Sequence, residues 1–278
     1  MNLLKKTLTL VVAVLMTFAC TLGLTACSTT NIQKLQLTVQ VYNYADDKQV
    51  DYTMNIDLYG HLAPKTVDAI VSYINEGHYN GLPFYKLESY SNQIMVGDYK
   101  FEDGALVKNA EKPTVDGEFT YGGQITEGGS PLYAKKGTIG LWRNWYAQDG
   151  SYTSRAGTDS GSATWFIPTQ TIDAYNDYFC VFAQYDLTDD DNNETITALT
   201  NIFDDADNYE TFVIYYTGEY DNLTFHCVKS ADFDADEIDD LFEAEDDQFV
   251  CYNKTEIKVP VTPNGELAAK IVKAEIVK

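Results

Sequence analysis

Residues 54–86 read MNIDLYGHLAPKTVDAIVSYINEGHYNGLPFYK, and three signals follow one another in that stretch. Met54, Ile56 and Leu58 alternate with polar residues, the period of a half-buried strand. Ala63-Pro64-Lys65-Thr66-Val67 opens a helix, since proline is tolerated in a first turn, and Val67, Ile70, Val71 and Ile74 then recur at helical spacing. Gly77 ends the helix, supplying the left-handed conformation that closes one.

Upstream, Leu35, Leu37, Val39 and Val41 alternate in the same way, with Ala45-Asp46-Asp47-Lys48 as the turn of a hairpin onto the Met54 strand. Downstream, from Phe84 to Phe182, short apolar runs are separated by Gly-rich and Asp-rich turns. The clearest are Thr138–Trp142, Thr164–Ile167 and Tyr178–Phe182. Many short strands with few helices predict a sandwich or closed barrel. A second helix is expected over Thr195–Phe203. Ile257–Val261 and Ala268–Val277 read as a closing hairpin around Thr262-Pro263-Asn264-Gly265. Between them, residues 204–254 form a Tyr-rich and Asp-rich insert with a strand at Phe212–Tyr216 and a helix at Asp236–Glu245.

At 278 residues with 45% hydrophobic and 22% charged residues, the chain is long enough for one or two folded domains and is not a disordered polymer. Met1–Lys6 is short and basic, Thr7–Leu24 is apolar, and Leu24-Thr25-Ala26-Cys27 resembles a bacterial lipobox. Cys20 fits that motif less well. The competing reading is an uncleaved transmembrane helix of about 18 residues. The lipobox reading is preferred because small residues precede Cys27 and a polar run follows it. It makes residues 1–26 a signal peptide, Cys27 the lipidated N-terminus and 27–34 a tether, with the remainder outside the cytoplasmic membrane. Losing Lys5 and Lys6 leaves 17 basic against 42 acidic residues, a net charge of −25, which argues against nucleic-acid binding.

Other candidate sites are weaker. Asp232, Asp234, Asp236 and Glu243 have the spacing of a calcium loop, but Glu237 stands where that loop needs glycine. An acid-capped helix start explains the same residues. Asp189-Asp190-Asp191 reads as a solvated turn. His61, His78 and His226 are scattered, so no metal or cofactor is expected. Cys180, Cys227 and Cys251 are an odd set, in which Cys227 with Cys251 is the likelier bridge if one forms.

A family resemblance emerges when the fragments are taken in order. Met54–Tyr59, Ala63–Val67 and Gly77–Lys86 are followed by Val96-Gly97-Asp98, Gly117-Glu118-Phe119, Lys136–Arg143, Asp159–Ile167 and Phe179–Phe182. Together they resemble the cyclophilin-type peptidyl-prolyl isomerases. The resemblance implies a mainly β fold: a closed eight-stranded antiparallel barrel over 35–203, capped by two helices. The acidic α/β insert at 204–254 precedes the last strand, and the hairpin at 255–278 completes the barrel. It also implies rotation about the bond preceding proline, whose barrier is roughly 18–20 kcal/mol, with no cofactor.

That reaction needs an apolar pocket for the proline ring and donors to the substrate. A cationic donor to the prolyl nitrogen favours the twisted transition state. By the resemblance, Lys86 stands where most of the family has arginine and is the expected catalytic donor. Asn92, Met95, Trp142, Arg143, Thr164, Phe166, Ile172 and Phe179 are the expected substrate-binding residues, with Met95, Phe166 and Phe179 forming the proline pocket. Arg143 and Arg155 are alternative cations beside the groove. Asn92, Met95, Thr164 and Phe179 depart from the family's aromatic, glutamines and histidine, its usual tryptophan near Ile172-Asp173 is absent, and Phe166 is retained. The expected function is isomerisation of X-Pro bonds in secreted or surface proteins by a lipid-anchored monomer. The alternative is a catalytically inactive, cyclophilin-like binding lipoprotein.

Overall fold

The computed structural model describes residues 31–121, 124–125, 132–143, 155–219, 222–234 and 252–278. The lipobox with Cys27, the helix expected at Asp236–Glu245, most of the calcium-like loop and Cys251 lie outside them.

The alternating stretches form a long hairpin, β1 (Ile32–Asn43) and β2 (Lys48–Tyr59), paired in unbroken antiparallel register from Ile32↔Tyr59 to Asn43↔Lys48. Leu35, Leu37, Val39, Met54, Ile56 and Leu58 are buried to 1% exposure or less, so the period-2 pattern turns one face inward. The first helix, α1 (Pro64–Asn75), buries Val67, Ile70, Tyr73 and Ile74, and Gly77 follows it at φ +73°.

Next come β3 (Lys86–Leu87), β4 (Gln93–Val96) and the ribbon β5 (Tyr99–Glu102) with β6 (Ala105–Lys108). A two-residue pair, β7 (Thr120–Tyr121) with β8 (Gln124–Ile125), precedes β9 (Thr138–Leu141), β10 (Trp165–Pro168) and β11 (Val181–Gln184). The second helix, α2 (Asp190–Asn201), starts earlier than periodicity suggests. Asp189 is its N-cap, accepting from the Asn192 amide, and Asp190 and Asp191 fill the first turn. The acidic run is therefore a helix start rather than a solvated turn, placed where carboxylates complement the helix dipole.

After α2 come β12 (Tyr209–Glu219), β13 (Asn222–Lys229), β14 (Tyr252–Pro260) and β15 (Ala269–Val277). The principal sheet has seven antiparallel strands in the order β15-β1-β2-β11-β9-β10-β4. Residues 81–85 bond to both of its edges. Gly81 and Phe84 donate to Ile271 and Ala269 of β15, and Tyr85 exchanges two bonds with Met95 of β4.

The expected closing hairpin forms only next to its turn. The turn at 262–265 forms, with Gly265 donating to Thr262, and its arms pair beside it, Val261 opposite Leu267 and Ala268 donating to Pro260, before they part. β15 joins β1, while β14 leaves for a second sheet of order β13-β12-β14-β3. The insert is thus a four-stranded sheet that includes β14 and borrows β3.

Alternation divides the apolar residues into two clusters. Ile94, Val96, Trp165, Ile167 and Phe182 belong to the interior cluster with β1, β2 and the helices. Met95, Phe166 and Phe179 project the other way, into a cluster shared with Phe212, Ile214, Ile257 and Val259 of the second sheet.

Candidate functional site

The second cluster is where the expected proline pocket falls. Phe166 stands directly opposite Met95 in the β10–β4 register. Phe179 lies 5.5 Å from Phe166, centroid to centroid, and Tyr175 lies 4.4 Å from Phe179. The structure thus brings Met95, Phe166 and Phe179 together, but as core: their exposures are 1%, 0% and 1%.

Trp142 covers this cluster. Its ring stacks on Phe179 at 5.2 Å and 24°, meets Phe166 and Tyr175 at 6.2 Å, and is met edge-on by Tyr90 at 5.1 Å. Trp142 and Tyr90 are half-buried, so they form the outer layer of a filled site. Gly140 accounts for the tightness beneath, because a Cβ there would come within 2.2 Å of the Phe166 ring.

The other expected contacts are scattered around this cluster. Asn92 is exposed, and its carbonyl accepts from Thr169. Ile172 is half-buried, its amide bonded to Ala134. Thr164 is buried and donates its hydroxyl to Asp98 at 2.5 Å. Arg143 is a buried structural cation. Its Nε donates to the Tyr178 carbonyl at 2.6 Å and a terminal nitrogen to Gly157 at 3.1 Å, and the guanidinium lies 4.9 and 5.2 Å from the Phe119 and Phe179 ring centres. Loss of solvent lowers its pKa to about 10. Arg155 begins a single helical turn, Arg155–Thr158.

Lys86 is not brought to the pocket. Its neighbours Tyr85 and Leu87 both face the pocket cluster, and strand alternation turns Lys86 to the opposite side. There its ammonium lies 4.9 Å from the centre of Phe203, a residue of the interior cluster. Tyr85 and Leu87 are themselves apolar in the sequence, and that flanking pattern signals the reversal.

Sequence reasoning missed four contributors: Tyr85, Tyr90, Gln93 and Tyr175. Counting back two from Met95 would have found Gln93. It is fully buried, its amide nitrogen 3.5 Å from the Met95 sulfur, and its carbonyl oxygen has no donor among the described residues. Such an orphaned acceptor costs about 1–3 kcal/mol. Cys180 and Cys227 are free thiols, and among the described residues no group of three or more His, Cys, Asp and Glu could hold a metal.

Comparison with known proteins gives a family. The family model for the cyclophilin-type peptidyl-prolyl cis-trans isomerases matches residues 47–205. Similar solved structures include a cyclophilin-type isomerase of Cryptosporidium parvum, at 17% identity and a TM-score of 0.40, covering 61% of this chain and 85% of that one. The same protein crystallised in the presence of the dipeptide Ala-Pro gives 16% identity, with the same TM-score and coverages. No curated protein matches the chain. With that family's model running from the β1–β2 turn to the end of α2, more than half of its length, this chain belongs to the cyclophilin-type peptidyl-prolyl cis-trans isomerases.

Proposed function

We propose that this chain is a membrane-tethered, extracytoplasmic cyclophilin-type domain that binds proline-containing segments of secreted or surface proteins without the turnover of an open-pocket isomerase. One observation carries the reading. The ring that stacks on Phe179 is the protein's own Trp142, and Met95, Phe166 and Phe179 are at most 1% exposed. Among the described residues, the protein's own side chains occupy the place expected for a pyrrolidine ring. Removing a single positioned donor can cost about 10²–10³ in rate, and here Met95 and Phe179 bring none while Lys86 faces away. What remains accessible is an aromatic rim, Tyr90 and Trp142, of the kind on which proline-rich segments dock.

The bonds of residues 81–85 to both edges of the principal sheet support the closed eight-stranded barrel. Leu24–Cys27 supports a lipid anchor. The second reading, an active isomerase, is favoured by the family match itself. Exchange NMR on an Ala-Pro peptide separates the two. We expect shifts on the Trp142 indole with a cis/trans exchange rate close to that of the peptide alone. Acceleration by tenfold or more would overturn the proposal, and loss of that acceleration in Lys86→Ala would reinstate Lys86 as donor.

A further inference from the structure

Lys86, turned away from the pocket, sits in an arrangement of its own. It pairs directly across β3 and β14 with Lys258, a juxtaposition of like charges that sheets ordinarily avoid. The two ammonium groups are treated differently by their surroundings. Lys258 bonds to the Glu88 carboxylate at 2.5 Å and lies 5.2 Å from the centre of the Tyr209 ring. Among the described residues no carboxylate comes within ion-pair distance of Lys86, whose nearest ring is Phe203 at 4.9 Å. Seven other lysines, at 34, 48, 65, 112, 229, 258 and 273, each have an acidic partner.

The two features Lys86 combines are those that make an amine nucleophilic, namely desolvation against an apolar surface and an adjacent cation. Both favour the neutral form, whose lone pair does the attacking. Burial is the largest influence at its Nζ and lowers the pKa; among the charged groups, Asp204 opposes this by favouring the ammonium and Lys258 adds to it. The Glu88 bond raises that of Lys258, so the neighbouring cation persists.

We propose that Lys86 is a covalent modification site, the amine of this chain most readily acylated by activated acyl donors such as acyl phosphates. In the step, the neutral Nζ attacks the acyl carbonyl and a C–N bond forms. The C–O bond to phosphate breaks, phosphate leaves with the electron pair, and the amine proton passes to water. The resulting amide removes one of two facing charges.

The experiment is limited acetylation of the folded, full-length protein with acetyl phosphate at pH 8, read by peptide mass spectrometry. We expect Lys86 to react at least threefold faster than Lys34, Lys48 and Lys273. Two controls tie the effect to this geometry: the preference should vanish in urea, and it should fall by half or more in Lys258→Gln. Labelling of Lys86 no faster than of those three lysines, or a preference surviving in urea, would overturn the proposal. An unchanged preference in Lys258→Gln would also overturn it.

Discussion

The indole of Trp142 lies stacked on the Phe179 ring, 5.2 Å between centroids, and the sheet carrying Phe212, Ile214, Ile257 and Val259 shares the apolar cluster beneath it. Met95, Phe166 and Phe179, the residues expected to form the proline pocket, are in this chain part of the hydrophobic core. Trp142→Ala therefore acts first on stability. Because the indole is half-buried, the loss should be about 2–3 kcal/mol, below the 3–5 typical of a fully buried aromatic, read from urea unfolding. The space it vacates should not restore catalysis, since Lys86 faces away from it and Arg143 is held by the Tyr178 and Gly157 carbonyls; an Ala-Pro exchange rate tenfold above background in this variant would contradict that.

Gly140 is held to glycine by Phe166. An added Cβ would lie 2.2, 2.4 and 2.9 Å from three ring atoms of a side chain with no exposed surface, so the ring has nowhere to retreat. Gly140→Ala should cost about 1–3 kcal/mol by overpacking. The double variant with Phe166→Leu should recover part of it, a coupling that a double-mutant cycle measures. Equal losses in both backgrounds would mean that the backbone, and not the ring, sets the constraint.

Much of the frame was legible because it rests on local periodicity. Leu35 to Val41 and Met54 to Leu58 alternate, Pro64 and Gly77 bracket a helix, and each signal needs only its neighbours. What failed needed partners distant in the chain. Ile257–Val261 and Ala268–Val277 flank a Pro-Asn-Gly turn and read as one hairpin, yet the first pairs with β12 through Ile257↔Phe212. Alternation says that a strand has an apolar face, not which strand it will join. The direction of Lys86 was hidden for a related reason. Position in a motif suggested a role, while the direction of the side chain was set by Tyr85 and Leu87 beside it.

Glu118 performs a task that α1 cannot do for itself. The helix begins after Ala63, which provides no capping side chain. The buried Glu118 carboxylate, over 50 residues away, accepts from the Lys65 and Thr66 amides at 3.0 and 2.8 Å. A carboxylate at a helix N-terminus satisfies orphan donors and complements the dipole. Glu118→Ala should cost about 1–3 kcal/mol, and Glu118→Gln, which keeps one acceptor, about half as much. Equal stability of wild type and Glu118→Ala in urea would show that the helix needs no such partner.

His78 sets an acid limit on the fold. Its Nε2 lies 3.1 Å from the Asn109 amide nitrogen, which also donates to the Gly97 carbonyl at 3.0 Å. With Nε2 as acceptor, the contact requires the neutral ring. Burial is the main cause that lowers its pKa to about 4; Lys112 and Lys100 add to this, and Glu76 and Asp98 oppose it. The unfolded chain takes up its proton near pH 6.5 and the folded chain only near 4. The stabilisation is therefore complete above about pH 6.5 and is lost as pH falls toward 4. Because the ring is half exposed, screening reduces the effect to on the order of 1 kcal/mol. His78→Gln keeps an acceptor for Asn109 and removes the titration, so its stability should change less than that of wild type between pH 6.5 and 4.5. Parallel curves for the two proteins over that interval would assign the acid sensitivity to carboxylates instead.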